Sequence, residues 1–189
     1  MRASAWRACS QGDHGIRFRS LSVGVVVGNP HEASRTLRLA ERVAEAVVDI
    51  TGVRRGVTID LAAVAPLLFA FPNEEMAVLT EQIAQSAIVI FASPTYKAAY
   101  TGMLKAFLDR YPSDGLNSIV AIPVMTGASD RHALAPDITL RPLLVELGAS
   151  TPTSSLYFVT SDMEALDGAV AAWRDKNKAI LRLLTSRKP

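Results

Sequence analysis

Hydroxyl and basic side chains follow the first apolar run of the sequence, where a helix is predicted to begin. Ser34, Arg35 and Thr36 come shortly after Gly28 and Asn29. At the start of a helix, free backbone N–H groups, hydroxyls and the positive end of the helix dipole suit a phosphate. The stretch has neither Gly-Lys-Ser/Thr nor the three-glycine dinucleotide fingerprint, which argues against ATP, GTP and a Rossmann NAD site. It predicts a phosphate cradle, and the alternative is that Ser34 is a simple helix cap.

An aromatic side chain and a cation follow a later apolar run, in the segment 93–102. Pro94 fixes a rigid exit from that run, Tyr96 offers an aromatic face to a flat ligand, and Lys97 supplies a positive charge. The segment therefore predicts a contact for a planar ring. The structural alternative is that Tyr96 and Tyr100 only cover the neighbouring helix.

Small residues and hydrogen-bond donors fill a third segment, 126–132. Gly127 and Ala128 allow close approach of the backbone, so that N–H groups can reach the carbonyl oxygens of a planar ring. His132 has no evident acidic or metal-binding partner and fits the start of a helix better than catalysis. With Cys9 as the single cysteine and three scattered histidines, the sequence predicts no metal site and no internal disulfide.

Five apolar runs, three of them preceding the polar segments described above, alternate with five amphipathic stretches. Strands are predicted at 21–28, 57–61, 87–92, 118–125 and 155–159, and helices at 34–49, 74–85, 101–111, 136–147 and 162–184. Such alternation with short connections predicts an α/β fold with a doubly wound parallel sheet and helices on both faces. Five strands suit the flavodoxin-like order 2-1-3-4-5. Ligands of such sheets bind at the carboxyl ends of the strands, where the strand order reverses, so the three polar segments should converge.

The 189 residues fit one domain, and 49% hydrophobic with 20% charged residues excludes a disordered chain. We expect a flexible N-terminal extension over 1–20 and the domain over 21–189. No apolar run approaches the roughly 18 residues of a membrane span, so no membrane partner is expected. Residues 1–20 carry a net charge of +3, residues 174–189 carry +5, and the body between them carries −6. Basic ends on an acidic body argue against nucleic acid as a partner.

The polar segments together resemble the NAD(P)H-dependent FMN reductases of the flavodoxin-like superfamily, especially the small flavin reductases that supply reduced FMN to sulfonate monooxygenases. The resemblance runs over about 23–185. Its most specific parts are Ser-Pro-Thr-Tyr-Lys-Ala at 93–98 with Gly102, Leu104 and Lys105, and Thr-Gly at 126–127 with the segments 132–135 and 140–144.

The resemblance implies a set of cofactor-binding residues in three groups. Those around the phosphate and ribityl end of FMN are Asn29, Ser34, Arg35 and Thr36; those lining the flavin are Pro94, Thr95, Tyr96 and Lys97; those at the pyrimidine edge are Thr126, Gly127, Ala128 and Ser129. The chain departs from the family at Asn29, where Ser is common, and at Ala128, where Gly is common. Close sulfonate-linked relatives tend to have Tyr in place of Ile138.

The implied function is hydride transfer from NADPH or NADH to FMN, with reduced flavin passed to a flavin-dependent monooxygenase. The cofactor carries the chemistry, so no catalytic acid, base or metal is predicted. The resemblance also implies a cytoplasmic homodimer or homotetramer. Alternatives are an NAD(P)H-dependent quinone or azo-dye reductase, a non-enzymatic electron carrier of the flavodoxin type, and a helix-rich interaction module without a ligand.

Overall fold

Five parallel strands form one sheet in the computed structural model, which describes residues 20–185. The strands are β1 (Ser20–Val27), β2 (Arg54–Asp60), β3 (Ser86–Pro94), β4 (Val120–Gly127) and β5 (Leu156–Val159). Their order is β2-β1-β3-β4-β5, which confirms the predicted flavodoxin-like fold. The predicted extension over 1–20 lies outside the described residues, except that Ser20 begins β1.

Five helices connect or follow the strands. They are α1 (Arg35–Thr51), α2 (Glu74–Ala84), α3 (Gly102–Leu108), α4 (Arg141–Glu146) and α5 (Leu166–Thr185). Short 3-10 turns occur at Ala65–Leu67, Asp130–His132 and Met163–Ala165. Among residues 20–185, no helix has both the length and the hydropathy that a membrane span requires.

The helix predicted over 136–147 is divided in the structure. Pro136–Leu140 forms a π-helical turn that leads directly into α4, and the Arg141 N–H donates to the Pro136 carbonyl. Pro142 has no N–H to offer the Ile138 carbonyl in an α-helix, and the wider turn accommodates that missing donor. An apolar period does not distinguish this turn from an α-helix.

The helices cover the two faces of the sheet unequally. Helices α1 and α5 cover one face, which we call the α1–α5 face. Helices α2, α3 and α4 cover the other, which we call the α2–α4 face. Alternate residues of each strand enter the two cores, as Val25 and Val26 do in β1. The core of the α1–α5 face includes Val43 and Trp173, and that of the α2–α4 face includes Phe91 and Phe107.

The apolar loop after β2 places Leu68 in the core and leaves two aromatic side chains exposed. Leu68 is buried, but Phe69 is 80% exposed and Phe71 is also exposed. The Arg110 guanidinium donates to the Leu68 and Ala70 carbonyls over 3.0 and 3.2 Å and lies 4.0 Å from the centre of the Phe71 ring. The loop is therefore held in place with two aromatic side chains on its outer surface.

Candidate functional site

A cavity of about 350 Å³ lies at the carboxyl ends of β1, β3 and β4. Its volume is within the range of small-molecule sites. Ten of the twelve predicted site residues line it, and His31 and Thr160 join them; the ten are Asn29, Ser34, Arg35, Thr36, Pro94, Thr95, Tyr96, Thr126, Gly127 and Ala128. The other two, Lys97 and Ser129, adjoin lining residues in the chain but do not line the cavity.

Three buried polar side chains tie the first and third polar segments together. Asn29 Nδ2 donates to Thr36 Oγ1 over 3.0 Å, and Thr36 Oγ1 lies 2.8 Å from Thr126 Oγ1. Asn29 Oδ1 accepts the His31 N–H over 2.9 Å. We call Asn29, Thr36 and Thr126 the threonine cluster. Because the Thr36 hydroxyl is engaged within this cluster, its side chain holds the segments together, and its backbone N–H is the group left for a ligand.

The start of α1 combines a side-chain cap with free donors. Ser34 is the N-cap and its Oγ accepts the Leu37 N–H over 3.2 Å. Within residues 20–185, the N–H groups of Arg35 and Thr36 have no hydrogen-bond partner, as is usual for a first turn. Arg35 Nη1 donates to the Thr160 carbonyl over 3.1 Å, which places the guanidinium beside the same end of the cavity. This end is suited to an anion.

A tight turn carries the aromatic side chain of the second segment. Tyr96 and Ala99 exchange two backbone hydrogen bonds of 2.9 and 3.2 Å, and the intervening Lys97 and Ala98 have φ of 52° and 66°. Two positive φ values in succession define a type I′ turn. Tyr96 lines the cavity with its side chain 50% exposed, whereas Lys97 is exposed at the tip of the turn.

Thr95 presents a buried hydroxyl without a partner in the described part of the chain. Its N–H donates to the Thr126 carbonyl over 2.6 Å, so its backbone is fixed to the end of β4. A buried hydroxyl without a hydrogen bond is destabilising, and a polar ligand atom would satisfy it. Thr95 therefore marks a position where a ligand hydrogen bond fits.

The third segment is fixed from β5. The Gly127 carbonyl accepts the Thr160 N–H over 2.8 Å and the Thr160 hydroxyl over 3.2 Å. The Tyr157 hydroxyl donates to the Ser129 carbonyl over 2.7 Å. Within residues 20–185, the Ala128 N–H has no partner, and Ala128 lines the cavity. The Ala128 N–H is therefore available as a hydrogen-bond donor to a ligand at the β4 side of the cavity.

Together these groups fit FMN by the chemistry that they offer. The cavity offers the N–H groups at the start of α1 and the Arg35 guanidinium to a phosphate, and it offers Tyr96, the Thr95 hydroxyl and the Ala128 N–H to a polar ring. No group of three or more His, Cys, Asp or Glu side chains within residues 20–185 could hold a metal ion.

Among the described residues, the ionisable groups with displaced pKa values lie outside the cavity lining. Burial raises the pKa of Tyr111 on α3 and lowers the pKa of Arg55 on β2. A hydrogen bond with Asp109 raises the pKa of Lys105, which places this lysine of the family motif in an ion pair on the surface of α3.

Sequence reasoning missed Thr160 and His31 as lining residues and Tyr157 as a contact of the third segment. His31 lies within the first polar segment, whereas Tyr157 and Thr160 belong to β5 and the residue after it, beyond the three polar segments. Thr160 directly follows β5, which pairs with β4 so that Gly127 lies opposite Val159. The signal that identifies Thr160 is its position at the end of the strand next to β4.

The chain is similar to flavin reductases over most of its length. The sequence profile of the family described as "NADPH-dependent FMN reductase" matches residues 21–164. "FMN reductase (NADPH)" of Escherichia coli (strain K12) is 35% identical over 148 residues, which are 78% of this chain and 76% of that protein. "NADH-dependent FMN reductase SfnF" of Pseudomonas fluorescens (strain Pf0-1) is 32% identical over 152 residues, covering 76% of this chain and 79% of that protein.

A solved structure shows the same architecture. The apo form of "NADH:FMN oxidoreductase (EMOB)" superposes with a TM-score of 0.78 at 30% identity, covering 89% of this chain and 92% of that one. On its sequence and its fold, the chain belongs to the NADPH-dependent FMN reductase family.

Proposed function

We propose that the protein is an NAD(P)H-dependent FMN reductase that binds FMN in the cavity at the ends of β1, β3 and β4. FMN, when bound, supplies the atom that accepts hydride from the nicotinamide ring. The observation that carries the proposal is the coincidence of free N–H groups at the start of α1, the unpartnered Thr95 hydroxyl and the free Ala128 N–H in one cavity of a family member.

Each part of the cavity has a proposed task. The N–H groups of Arg35 and Thr36 bind the phosphate, assisted by the Arg35 guanidinium and by the dipole of the 17-residue helix α1. Thr95 and Ala128 bind polar atoms of the flavin ring, and Tyr96 contacts its face. Asn29, Pro94, Thr126 and Gly127 shape the cavity, Ser129 anchors the segment next to Ala128 through its carbonyl, and Lys97 supplies a charge near the cavity mouth.

Steady-state oxidation of NADPH and NADH tests this function, with FMN, FAD, riboflavin and a quinone compared as acceptors. We expect FMN to give the highest kcat/KM, because the site has one phosphate-sized helix start and riboflavin lacks the phosphate. A higher kcat/KM for the quinone in the absence of free FMN would favour the quinone or azo-dye reductase. Relatives are named for NADPH and for NADH, so both donors are measured.

We further propose that reduced FMN leaves the protein and serves a flavin-dependent monooxygenase. Tyr96 at the cavity is half exposed, which gives the flavin a route to solvent. Anaerobic turnover with FMN in tenfold excess over protein tests release. Reduction of all the FMN supports it, whereas reduction of one equivalent only would indicate an electron carrier of the flavodoxin type.

We propose a homodimer or homotetramer that associates through the α2–α4 face. Exposed apolar side chains on this face include Val78 of α2, Ile138 of the π-helical turn and Val145 of α4, and such side chains favour association. Light scattering after size-exclusion chromatography measures the mass. Ile138→Glu should shift it towards the monomer, and a monomeric parent protein would contradict the proposal.

We also propose that the catalytic unit spans 21–189 and acts in the cytoplasm, where NAD(P)H is the common reductant. The family match begins at residue 21, which supports this boundary. Removal of residues 1–19 should leave the melting temperature and FMN affinity nearly unchanged. A large loss of either would move the boundary towards the N-terminus.

A further inference from the structure

We propose that Tyr157 of β5 is a positioning residue that holds the backbone of 127–129 in the orientation required for flavin binding. The inference rests on the proposed function, since it concerns the same cavity. Tyr157 does not line the cavity, and its hydroxyl acts on the segment from the side of β5. Its effect on the flavin is therefore indirect.

The Tyr157 side chain fills the space beside Gly127. A Cβ built on this residue would overlap the Tyr157 hydroxyl and lie 2.7 Å from its Cζ. Gly127 does not have a positive φ, so its backbone conformation alone does not require glycine. What requires glycine here is the Tyr157 side chain, which occupies the volume that any other residue at 127 would need.

Two carbonyls of the segment 127–129 are anchored. The Gly127 carbonyl accepts two hydrogen bonds from Thr160, and the Ser129 carbonyl accepts one from Tyr157. Both anchors come from β5 or from the residue that follows it. The segment is thus fixed at two points two residues apart, with Ala128 between them.

These anchors determine where the free donor points. In a planar trans peptide the carbonyl and the N–H of one unit point in opposite directions. Because the Gly127 carbonyl points towards β5, the Ala128 N–H points the opposite way, towards β3 and the Thr95 side of the cavity. A donor that is already oriented binds its ligand without the cost of ordering the backbone.

Tyr157→Phe tests the proposal because it removes one hydroxyl and keeps the ring. We expect FMN and riboflavin to bind about three- to tenfold more weakly, since one hydrogen bond that orders the segment is lost. The two losses should be equal because the ring end of the flavin is affected. The KM for FMN should rise by the same factor while kcat at saturating FMN stays within about twofold.

Tyr111→Phe is the matched control. The Tyr111 hydroxyl also donates to a backbone carbonyl, that of Thr80, over 3.0 Å, but it lies on the α2–α4 face away from the cavity lining. Each variant loses one hydroxyl-to-carbonyl hydrogen bond, and because the Tyr111 bond is the more buried of the two, Tyr111→Phe should lower the melting temperature at least as much as Tyr157→Phe. Only Tyr157→Phe should weaken flavin binding. Equal flavin affinity in the two variants would overturn the proposal.

A rescue experiment gives an independent readout. Gly127→Ala should weaken FMN binding by at least about thirtyfold, because the new Cβ displaces either Tyr157 or the segment. Tyr157→Val removes the obstruction and retains a residue suited to a strand. The double variant should therefore bind FMN more tightly than Gly127→Ala alone. A double variant that binds more weakly than Gly127→Ala would overturn the proposal.

Titration of the parent protein distinguishes a failure of the positioning role from a failure of the proposed function. Fluorescence titration of the parent with FMN and with riboflavin comes first, and absence of flavin binding there refutes the proposed function itself. If the parent binds FMN and Tyr157→Phe binds both flavins equally well, the proposed function stands and the positioning role of Tyr157 is wrong.

Discussion

The two sides of the cavity are built in opposite ways. The threonine cluster is buried, with Asn29 8% exposed and Thr36 and Thr126 each 1% exposed. The turn at Tyr96–Ala99 is mostly exposed and is closed by backbone hydrogen bonds between its own two end residues. One side is continuous with the core of the fold, and the other projects from it.

This difference separates folding from binding. The threonine cluster joins residues at the start of α1 to the ends of β1 and β4, so a substitution there changes both the free energy of unfolding and the shape of the cavity. Tyr96, Lys97 and Ala98 belong to neither core cluster. Substitutions in the turn should therefore change ligand contacts with little effect on folding.

Thr36→Val should produce the largest effect. The variant keeps the branched shape but leaves Asn29 Nδ2 and Thr126 Oγ1 buried without their shared partner. We expect the free energy of unfolding to fall by about 2 kcal/mol, together with at least fivefold weaker FMN binding. Urea denaturation and fluorescence titration measure the two quantities on the same preparation.

Thr36→Ser is the control for this variant because it restores the hydroxyl. It should recover more than half of the lost free energy of unfolding and most of the FMN affinity. If Thr36→Val loses FMN affinity without any loss of stability, the hydroxyl binds phosphate directly, and the cluster does not couple folding to binding.

Tyr96→Ala should show the reverse pattern, in which FMN binding weakens while the free energy of unfolding changes little. Its overall effect should be smaller than that of Thr36→Val. The side chain is half exposed, so its removal should cost less than about 0.5 kcal/mol of folding free energy. Loss of an aromatic contact should weaken FMN binding by about 1 kcal/mol, for oxidised and reduced FMN alike. Thermal unfolding and titration in both redox states check this. A large fall in stability with unchanged FMN affinity would make Tyr96 structural.

The fold could be predicted from the sequence because buried parallel strands are continuous apolar runs. Runs such as Val25–Val26–Val27 mark strands regardless of their partners. Alternation with helices then fixes the parallel arrangement, and the position of strand reversal identifies the polar segments that line the cavity. The strands, their parallel arrangement and the polar segments thus follow from local patterns and from the handedness of crossovers.

The contacts within the site could not be predicted in the same way. Thr36 and Thr126 are 90 residues apart, and their contact depends on how α1 lies against the end of β4. The contact of Tyr157 with Ser129 depends on the register that sets Gly127 opposite Val159. No local pattern encodes a register between strands, so the sequence alone does not predict that the Thr36 hydroxyl contacts the Thr126 hydroxyl.

Lys97→Gln should have a modest effect that is confined to the KM for the hydride donor. The side chain is exposed at the tip of the turn, so no change in stability is expected. Loss of the positive charge should raise the KM for NADPH about threefold and the KM for NADH less, because NADPH carries an additional phosphate. The difference should shrink at 0.5 M salt, where exposed charges are screened. An equal rise for both donors at every salt concentration would exclude a charge effect.

Ala98→Gly should produce the smallest effect of these substitutions. Whether it raises or lowers the free energy of unfolding is the informative result. Ala98 has a φ of 66°, which costs an L-residue roughly 1 kcal/mol or more. Glycine removes that cost but loses about 0.5 kcal/mol through the greater freedom of the unfolded chain. Since the Ala98 side chain is exposed, little packing is lost. We therefore expect a gain of about 0.5 kcal/mol in the free energy of unfolding.

Ala99→Gly is the matched control for Ala98→Gly, because Ala99 closes the turn without a positive φ and is half-buried. Glycine at position 99 relieves no unfavourable φ, so Ala99→Gly should lower the free energy of unfolding. Urea denaturation of both variants gives the two signs, and FMN titration should show affinities within about twofold of the parent, since neither position lines the cavity. If Ala98→Gly weakens FMN binding severalfold while raising stability, the strained turn holds Tyr96 against the flavin. The exposed side of the cavity would then depend on backbone order as the buried side does.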